Sequence, residues 1–232
     1  LKIIYLKNLQ ILKKVSKIPF NGIKNIIKFF ILIMKHVFYW SPFIGNVATI
    51  KAVINSAFSI SKYSKDKYLP SIINSSGEWN EYKNEINEKK IKSIDLQQRF
   101  KINTKINGFI RSRLEFLKIF INCYFPLKNL IKKNKPDYLI VHLITSLPLI
   151  LYLLNDFDTK LILRISGKVK LNFFRKALWK MNKKNIFLIT CPTKQSLKEI
   201  NSLGIIDREK IIFLPDPIID ISDLNKKKKR YN

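Results

Sequence analysis

The chain has 232 residues, of which 47% are hydrophobic and 26% charged, so it can bury a globular core. Its formal net charge of +28 suits nucleic acid, an anionic membrane surface or a phosphorylated ligand. Lysine, however, greatly outnumbers arginine and is spread along the whole chain. That distribution favours a general compositional bias over a surface built to read bases.

Residues 1–35 predict one or two basic helices, broken near the Pro19–Gly22 turn. Lysines alternate with apolar residues in a pattern that suits a helix lying on anionic lipid. A helix packed on the rest of the domain fits equally well, so both alternatives stay open. The longest early apolar run, Phe29–Met34, is far shorter than the roughly 20 residues of a membrane-spanning helix.

A buried strand followed by an amphipathic helix is predicted next. The strand is His36–Trp40, which is β-branched or aromatic. Helical spacing puts five apolar residues on one face, namely Ile50, Val53, Ile54, Ala57 and Phe58. Three polar residues are predicted to face away: Lys51, Asn55 and Lys62.

The turn between that strand and helix contains Gly45 and Asn46. Gly45 permits a positive φ angle and a close approach to the backbone, and Asn46 can cap the helix. Free N–H groups at a helix N-terminus suit a phosphate or a polar sugar. An ordinary connection is the alternative, because no complete phosphate-loop pattern is present.

Strand and helix patterns continue to alternate along the chain, apart from a polar, exposed stretch at Asn80–Lys90. The predicted strands are Tyr68–Trp79 (which ends in a polar turn at Gly77), Pro136–Ser146, Lys160–Gly167, Asn185–Thr193 and Lys210–Ile219. The predicted helices are 108–135, Leu147–Leu154, Asn172–Lys180 and Lys194–Leu203. This order predicts an α/β fold: a Rossmann-like parallel sheet with helices on both faces.

Polar side chains follow the predicted strands at their carboxyl ends, where such sheets bind ligands. They belong to Asn46, Glu78, His142, Thr145, Arg164, Ser166, Thr190 and Thr193, and Gly45 adds an accessible backbone at the same edge. Cys123 and Cys191 are far apart and lack metal-ligand spacing, so no metal site or disulfide is expected. Reduced thiols are typical of a cytoplasmic protein.

Six segments, in this order, resemble the N-terminal half of a family-4 glycosyltransferase with GT-B architecture: "SPFIGNVATIKAVINSA", "INSSGEW", "KPDYLIVHLITSLP", "RISG" with "FRKALWK", "CPT" and "LPDPII". The resemblance implies a retaining transferase that moves a sugar from a nucleotide sugar to an acceptor, often a lipid-linked saccharide, without a metal or other cofactor. In that family two Rossmann-like domains face each other, and the N-terminal one mainly holds the acceptor.

The resemblance also implies roles for individual residues. Gly45 and Asn46 match the loop beside the acceptor and the donor diphosphate, while Glu78 and Trp79 match a turn on the acceptor side. His142 matches a histidine near the transferred sugar and is the predicted catalytic residue. A merely buried histidine is the alternative.

Arg164 matches a strand end where a cation can face an anionic acceptor or the leaving phosphate, and a structural ion pair is the alternative. Thr145 and Ser166 lie at the same strand ends and are predicted to bind substrate.

The predicted organisation has three parts: residues 1–35 as basic helices, 36–220 as the acceptor-side domain and 221–232 as a charged linker. The donor-domain signature of two glutamates separated by seven residues is absent, so a donor domain is expected to be missing after the linker. We therefore expect the chain alone to be inactive.

The resulting hypothesis is the acceptor-side part of a glycosyltransferase in polysaccharide biosynthesis, located in the cytoplasm or peripherally on the inner face of the plasma membrane. Its partners would be a nucleotide sugar, a lipid-linked or glycan acceptor and an anionic membrane surface. One alternative is a nucleic-acid-binding protein, but no motif of that class is present, so no nucleic acid is expected. Another is a non-catalytic membrane-associated domain with the same fold.

Overall fold

A computed structural model of the chain describes residues 34–43, 47–96, 109–167 and 172–218. Almost all of the predicted N-terminal helical region, the linker at 221–232, and both Gly45 and Asn46 lie outside these described residues.

The described residues form a seven-stranded parallel sheet in the order β3-β2-β1-β4-β5-β6-β7. The strands are β1 Lys35–Trp40, β2 Tyr68–Asn74, β3 Lys92–Asp95, β4 Tyr138–Val141, β5 Lys160–Arg164, β6 Ile186–Cys191 and β7 Ile211–Phe213. This order extends the Rossmann arrangement by one strand, so the predicted α/β fold is confirmed. Strands β1, β4, β5 and β6 are adjacent in the sheet.

Helices connect the strands in the described part of the chain. They are α1 Thr49–Tyr63, α2 Lys83–Glu88, α3 Phe109–Asn134, α4 Ser146–Leu154, α5 Phe173–Met181 and α6 Lys194–Ser202. Short 3₁₀ turns occupy Asn80–Tyr82 and Arg208–Lys210. In the described part of the chain, no helix combines the length and the apolar character needed to cross a membrane.

Alternate strand residues pack into two hydrophobic clusters, one on each face of the sheet. The larger cluster contains Trp40, Val141 and Leu163 together with side chains from α3, α4, α5 and α6. The smaller contains Tyr39 and Ile72 together with side chains from α1 and α2. Because strand side chains point alternately to the two faces, β1, β2 and β4 contribute to both cores.

Asn55 was predicted to face solvent, and this prediction is wrong. Its side chain is only 6% exposed, and its Nδ2 donates to the carbonyls of Pro217 at 2.8 Å and Ile218 at 3.2 Å. Helical periodicity identified the apolar face correctly but could not show that a distant segment returns to cover this polar position. Asn55 therefore fixes the path of the chain after β7.

Two sheet elements differ from the sequence prediction. Strand β3 was not predicted, because Lys92–Asp95 is short, polar and at the edge of the sheet. The last strand was predicted over Lys210–Ile219 but ends at Phe213. Pro215 and Pro217 follow it, and since proline has no N–H group they cannot continue the ladder of hydrogen bonds.

Candidate functional site

The strand order reverses between β1 and β4, which are the central neighbours of the sheet. Chain connections lead away from this point in both directions, which leaves a crevice at the carboxyl ends of the two strands. Trp40 pairs with Val141, and the N–H of His142 donates to the carbonyl of Trp40 at 2.8 Å. His142 therefore lies beside the end of β1, at the switch point.

Trp40 also holds the loop that follows β4. Its indole N–H donates to the carbonyl of Ile144 at 2.9 Å. Between the two hydrogen-bonded residues, Leu143 adopts a φ of +56°. The left-handed conformation costs a non-glycine residue about 1–2 kcal/mol. Trp40 thus accepts one hydrogen bond and donates another, and together these bonds hold the strained backbone of Leu143 next to His142.

The His142 side chain has no solvent-exposed surface, and it stacks on Tyr39 with ring centroids 6.4 Å apart. Neither ring nitrogen has a hydrogen-bond partner among the described residues. Burial, assisted by the nearby charge of Arg164, lowers the pKa of His142 from 6.5 to about 3. The imidazole is therefore neutral at pH 7, with one unused donor and one unused acceptor.

His142 belongs to a row of buried polar side chains at the carboxyl ends of four adjacent strands. Trp40, Val141 and Leu163 pair across β1, β4 and β5, and the residues that follow them are Ser41, His142 and Arg164. Arg164 in turn pairs with Thr190 near the end of β6, which completes the row. The hydroxyls of Ser41 and Thr190 also lack partners within the described ranges. Burying unpartnered polar groups is costly, so such a cluster is typical of a site that meets a polar ligand.

Arg164 is 4% exposed and forms an ion pair with Asp216, its Nε lying 2.8 Å from the carboxylate Oδ1. Its Nη2 also donates to the carbonyl of Pro215 at 3.0 Å. These contacts hold the segment after β7 across the edge of the sheet. A contact between Arg164 and an anionic ligand stays a prediction.

Glu78 stabilises the turn after β2. Its two carboxylate oxygens accept four hydrogen bonds of 2.6–3.0 Å from the backbone N–H and hydroxyl groups of Ser75 and Ser76. The Asn74 side chain accepts further bonds from the N–H groups of Gly77 and Trp79. Glu78 thus acts on its own turn in this structure, and its predicted role toward an acceptor is not tested.

Trp79 is fully buried and packs edge-to-face on Phe43 at 5.0 Å and on Tyr82 at 6.1 Å. Its indole nitrogen has no partner in the described part of the chain. The residue anchors the smaller hydrophobic cluster, so any contact with an acceptor would have to involve a neighbouring residue or a rearranged turn.

The remaining predicted site residues differ in position. Thr145 directly precedes α4 and makes no side-chain cap bond, while Ser166 is exposed just after β5. Both lie at the carboxyl edge, as predicted. Gly45 and Asn46 lie outside the described residues, so their roles stay predictions.

Three residues important to this edge were missed by sequence reasoning: Trp40, Ser41 and Asp216. Trp40 was assigned only to a strand, although a tryptophan at a strand end carries an N–H that needs a partner when buried. Asp216 lies between two prolines, and this local pattern gives no indication of an ion pair with Arg164, which lies 52 positions earlier in the chain.

Two cavities of about 280 and 340 Å³ open elsewhere, at the amino ends of the strands. The first is lined partly by Lys160 and Ile186, which begin β5 and β6, and the second by His36 and Leu69. We place the candidate site at the opposite edge, because ligands of parallel α/β sheets bind at the carboxyl ends of the strands. Within the described ranges, no three His, Cys, Asp or Glu side chains group as metal ligands.

Comparison with known proteins gave no match to a family model and no match among curated proteins. Among solved structures, UDP-GlcNAc 2-epimerase from Neisseria meningitidis bound to UDP-GlcNAc has a TM-score of 0.56 at 17% identity, over 84% of this chain and 51% of that one. A glycosyltransferase from Rickettsia africae ESF-5 has a TM-score of 0.55 at 16% identity, over 85% and 49%.

The lipopolysaccharide outer core galactosyltransferase WaaB is also similar, with a TM-score of 0.51 at 10% identity over 76% of this chain and 44% of that one. The chain therefore shares the Rossmann-like parallel α/β fold of these structures. It spans about half the length of the solved structures that it matches. At identities this low the structural similarity establishes the fold alone, and membership of family 4 stays a prediction.

Proposed function

We propose that this chain is the acceptor-side part of a glycosyltransferase that moves a sugar from a nucleotide sugar to a lipid-linked or cell-surface glycan. The observation that carries the proposal is the buried row at the switch point, where neither ring nitrogen of His142 has a partner among the residues that the structure describes. The similar epimerase from Neisseria meningitidis is bound to UDP-GlcNAc, which supports a nucleotide sugar as the donor.

In this proposal His142 orients the transferred sugar. A neutral imidazole can donate one hydrogen bond to a sugar hydroxyl and accept another, which suits a polar ligand without charge. Transfer breaks the bond between the anomeric carbon and the diphosphate oxygen and forms a bond to the acceptor hydroxyl, which releases its proton. In a retaining transfer, the new bond forms on the same face of the sugar ring as the bond to the departing diphosphate.

The site must open for this to happen, because His142 has no exposed surface. Arg164 and Asn55 hold the segment at Leu214–Ile218 over the same edge. We infer that displacement of this edge accompanies ligand entry, as in enzymes whose closure excludes water. Contacts to the donor diphosphate would come largely from a second domain, so residues 1–232 alone are expected to fold without transferring sugar.

A nucleotide-sugar epimerase is the second candidate, because the epimerase from Neisseria meningitidis resembles this chain as closely as the glycosyltransferases do. Epimerisation at a carbon requires a base that removes a proton and an acid that returns it. With a pKa of about 3, His142 is a poor base at neutral pH. The carboxylates of Glu78 and Asp216 are already engaged, which favours transfer over epimerisation.

The test incubates the full chain with radiolabelled nucleotide sugars and acceptors extracted from membranes. A longer chain that includes whatever the gene encodes after Asn232 is assayed beside it. Product analysis separates transfer, epimerisation and hydrolysis. The proposal expects transfer by the longer chain and its loss in the His142→Phe variant, whereas His36→Phe, at the opposite end of β1, should retain it. Epimerised nucleotide sugar as the main product would instead establish the second candidate.

A further inference from the structure

Helix α5 begins with two phenylalanines that are almost entirely in water. Phe173 is 80% exposed and Phe174 is 78% exposed. Their rings contact each other edge-to-face at 5.8 Å. The opposite side of the helix is anchored in the core by the buried Trp179, so the exposure of the pair is set by a well-packed helix. Adjacent aromatic rings exposed to this extent indicate a surface that binds a partner.

The surroundings of the pair are strongly basic. Between Asp158 and Glu199 the sequence contains no aspartate or glutamate but many lysines and arginines. Three of these cations lie on α5 itself: Arg175, Lys176 and Lys180. None of the three forms an ion pair within the described part of the chain. An unneutralised positive surface around exposed aromatic rings is complementary to anionic lipid.

The position of the pair relates it to the candidate site. Strand β5 runs parallel to its neighbours and ends at Arg164, and α5 then returns toward the amino ends of the strands. The first turn of α5 therefore lies at the carboxyl edge of the sheet, the edge that also carries His142.

We infer that Phe173 and Phe174 insert into the interface of an anionic phospholipid bilayer, while Arg175, Lys176 and Lys180 contact its headgroups. Aromatic rings favour the boundary between headgroups and acyl chains, and each nearby cation adds electrostatic attraction. This orientation turns the carboxyl edge toward the membrane, where a lipid-linked acceptor would be available. That last step rests on the proposed function, whereas bilayer binding does not.

The test measures co-sedimentation of the full chain with vesicles of mixed phosphatidylglycerol and phosphatidylcholine, and with phosphatidylcholine alone. We expect binding to the anionic vesicles that weakens as salt is added. The F173S/F174S variant should bind at least about tenfold more weakly, because it loses the burial of two aromatic side chains. The R175Q/K176Q/K180Q variant should lose preference for anionic vesicles.

The matched control is L117S/I121S, which removes two apolar side chains that are 51% and 50% exposed on a different helix, α3. This control should bind vesicles as wild type does. Equal binding by F173S/F174S and wild type, or no binding by wild type, would overturn the inference. A third outcome would also overturn it: wild type is a dimer, and F173S/F174S becomes a monomer but still binds vesicles. The two phenylalanines would then form an interface between copies of the chain.

A second measurement detects insertion into the bilayer directly and does not require a variant that binds more weakly. In F174W, lipids with brominated acyl chains should quench the new tryptophan, whereas in L117W they should not. The native residues Trp40, Trp79 and Trp179 are buried and give a constant background. Quenching in F174W, together with no sugar transfer by the longer chain, would retain the membrane surface and reject the proposed function. Absence of quenching in F174W would reject the membrane surface alone.

Discussion

The carbonyl of Trp40 accepts a hydrogen bond of 2.8 Å from the backbone N–H of His142. This bond joins the ends of β1 and β4 at the point where the strand order reverses. Because the indole of Trp40 also binds the carbonyl of Ile144, one side chain and its own backbone fix both sides of the strained residue Leu143. The position of the candidate catalytic histidine thus depends on a residue in another strand.

Replacing Trp40 with phenylalanine should reduce the free energy of unfolding by more than the same change at Trp79. Both substitutions remove a fully buried indole, but only Trp40 donates a hydrogen bond in the described part of the chain. Leaving the carbonyl of Ile144 without its donor should add about 1–2 kcal/mol to the loss in W40F. Urea denaturation of the two variants measures this difference, and equal losses would show that the bond to Ile144 contributes nothing.

Replacing Arg164 with methionine should destabilise the chain by about 3 kcal/mol, because a buried ion pair loses one partner. Asp216 would keep its charge, and the carbonyl of Pro215 would lose its donor. The D216N change and the double variant complete a cycle, in which we expect the two losses to be strongly non-additive.

The control for that cycle is the exposed ion pair of Lys51 and Glu85, whose side chains are 54% and 27% exposed. Its removal by K51M should cost less than about 1 kcal/mol. Additive effects at Arg164 and Asp216, or a loss as small as that of K51M, would mean that the segment after β7 is held by other contacts.

Acid should destabilise the folded chain through His142. In the folded state the pKa of His142 is about 3, so the ring stays neutral there, whereas an unfolded histidine gains a proton below about pH 6.5. Between these values the unfolded state binds more protons, and stability therefore falls as the pH falls. At pH 5 the contribution of His142 to this loss should be about 2 kcal/mol relative to neutral pH.

The His142→Phe variant isolates this effect, because it keeps an aromatic ring next to Tyr39 but cannot titrate. Urea denaturation at pH 7 and pH 5 should show a smaller acid-induced loss in the variant than in wild type. At pH 7 the variant should be about as stable as wild type, since the native ring nitrogens have no partners in the described part of the chain. Equal pH dependence in both proteins would indicate that His142 is hydrated in the folded state.

The sheet was predictable because its central strands are apolar and the helices between them are amphipathic. Ile50, Val53 and Ile54 are buried as their spacing indicates, and α4 begins within one residue of its prediction. Edge elements were less predictable: the four residues of β3 contain too few apolar side chains to give a strand pattern. Asn55 shows a second limit, because local periodicity does not reveal which polar positions a distant segment covers.

The sequence predicted the positions of the candidate-site residues more successfully than it predicted their hydrogen-bond and ion-pair partners. Parallel strands require His142, Arg164 and Thr190 to share one edge, and the structure places them in one row. No local pattern, however, could show that Arg164 pairs with Asp216 or that Glu78 bonds with its own turn. These partners are set by the three-dimensional path of the chain, which sequence spacing does not contain.

The proposed function requires that a sugar ligand reach His142, and histidine-selective ¹⁵N labelling tests this directly. The chain has only two histidines, His36 and His142, so the ring-nitrogen spectrum of the full chain contains one reporter at the site and one at the opposite end of β1. Nucleotide sugars and membrane-extracted acceptors are titrated separately. We predict that at least one ligand shifts the ring nitrogens of His142, which acquire their missing hydrogen-bond partners, and leaves those of His36 unchanged. Ligand binding with no change at His142, or with changes only at His36, would show that sugar ligands bind away from His142.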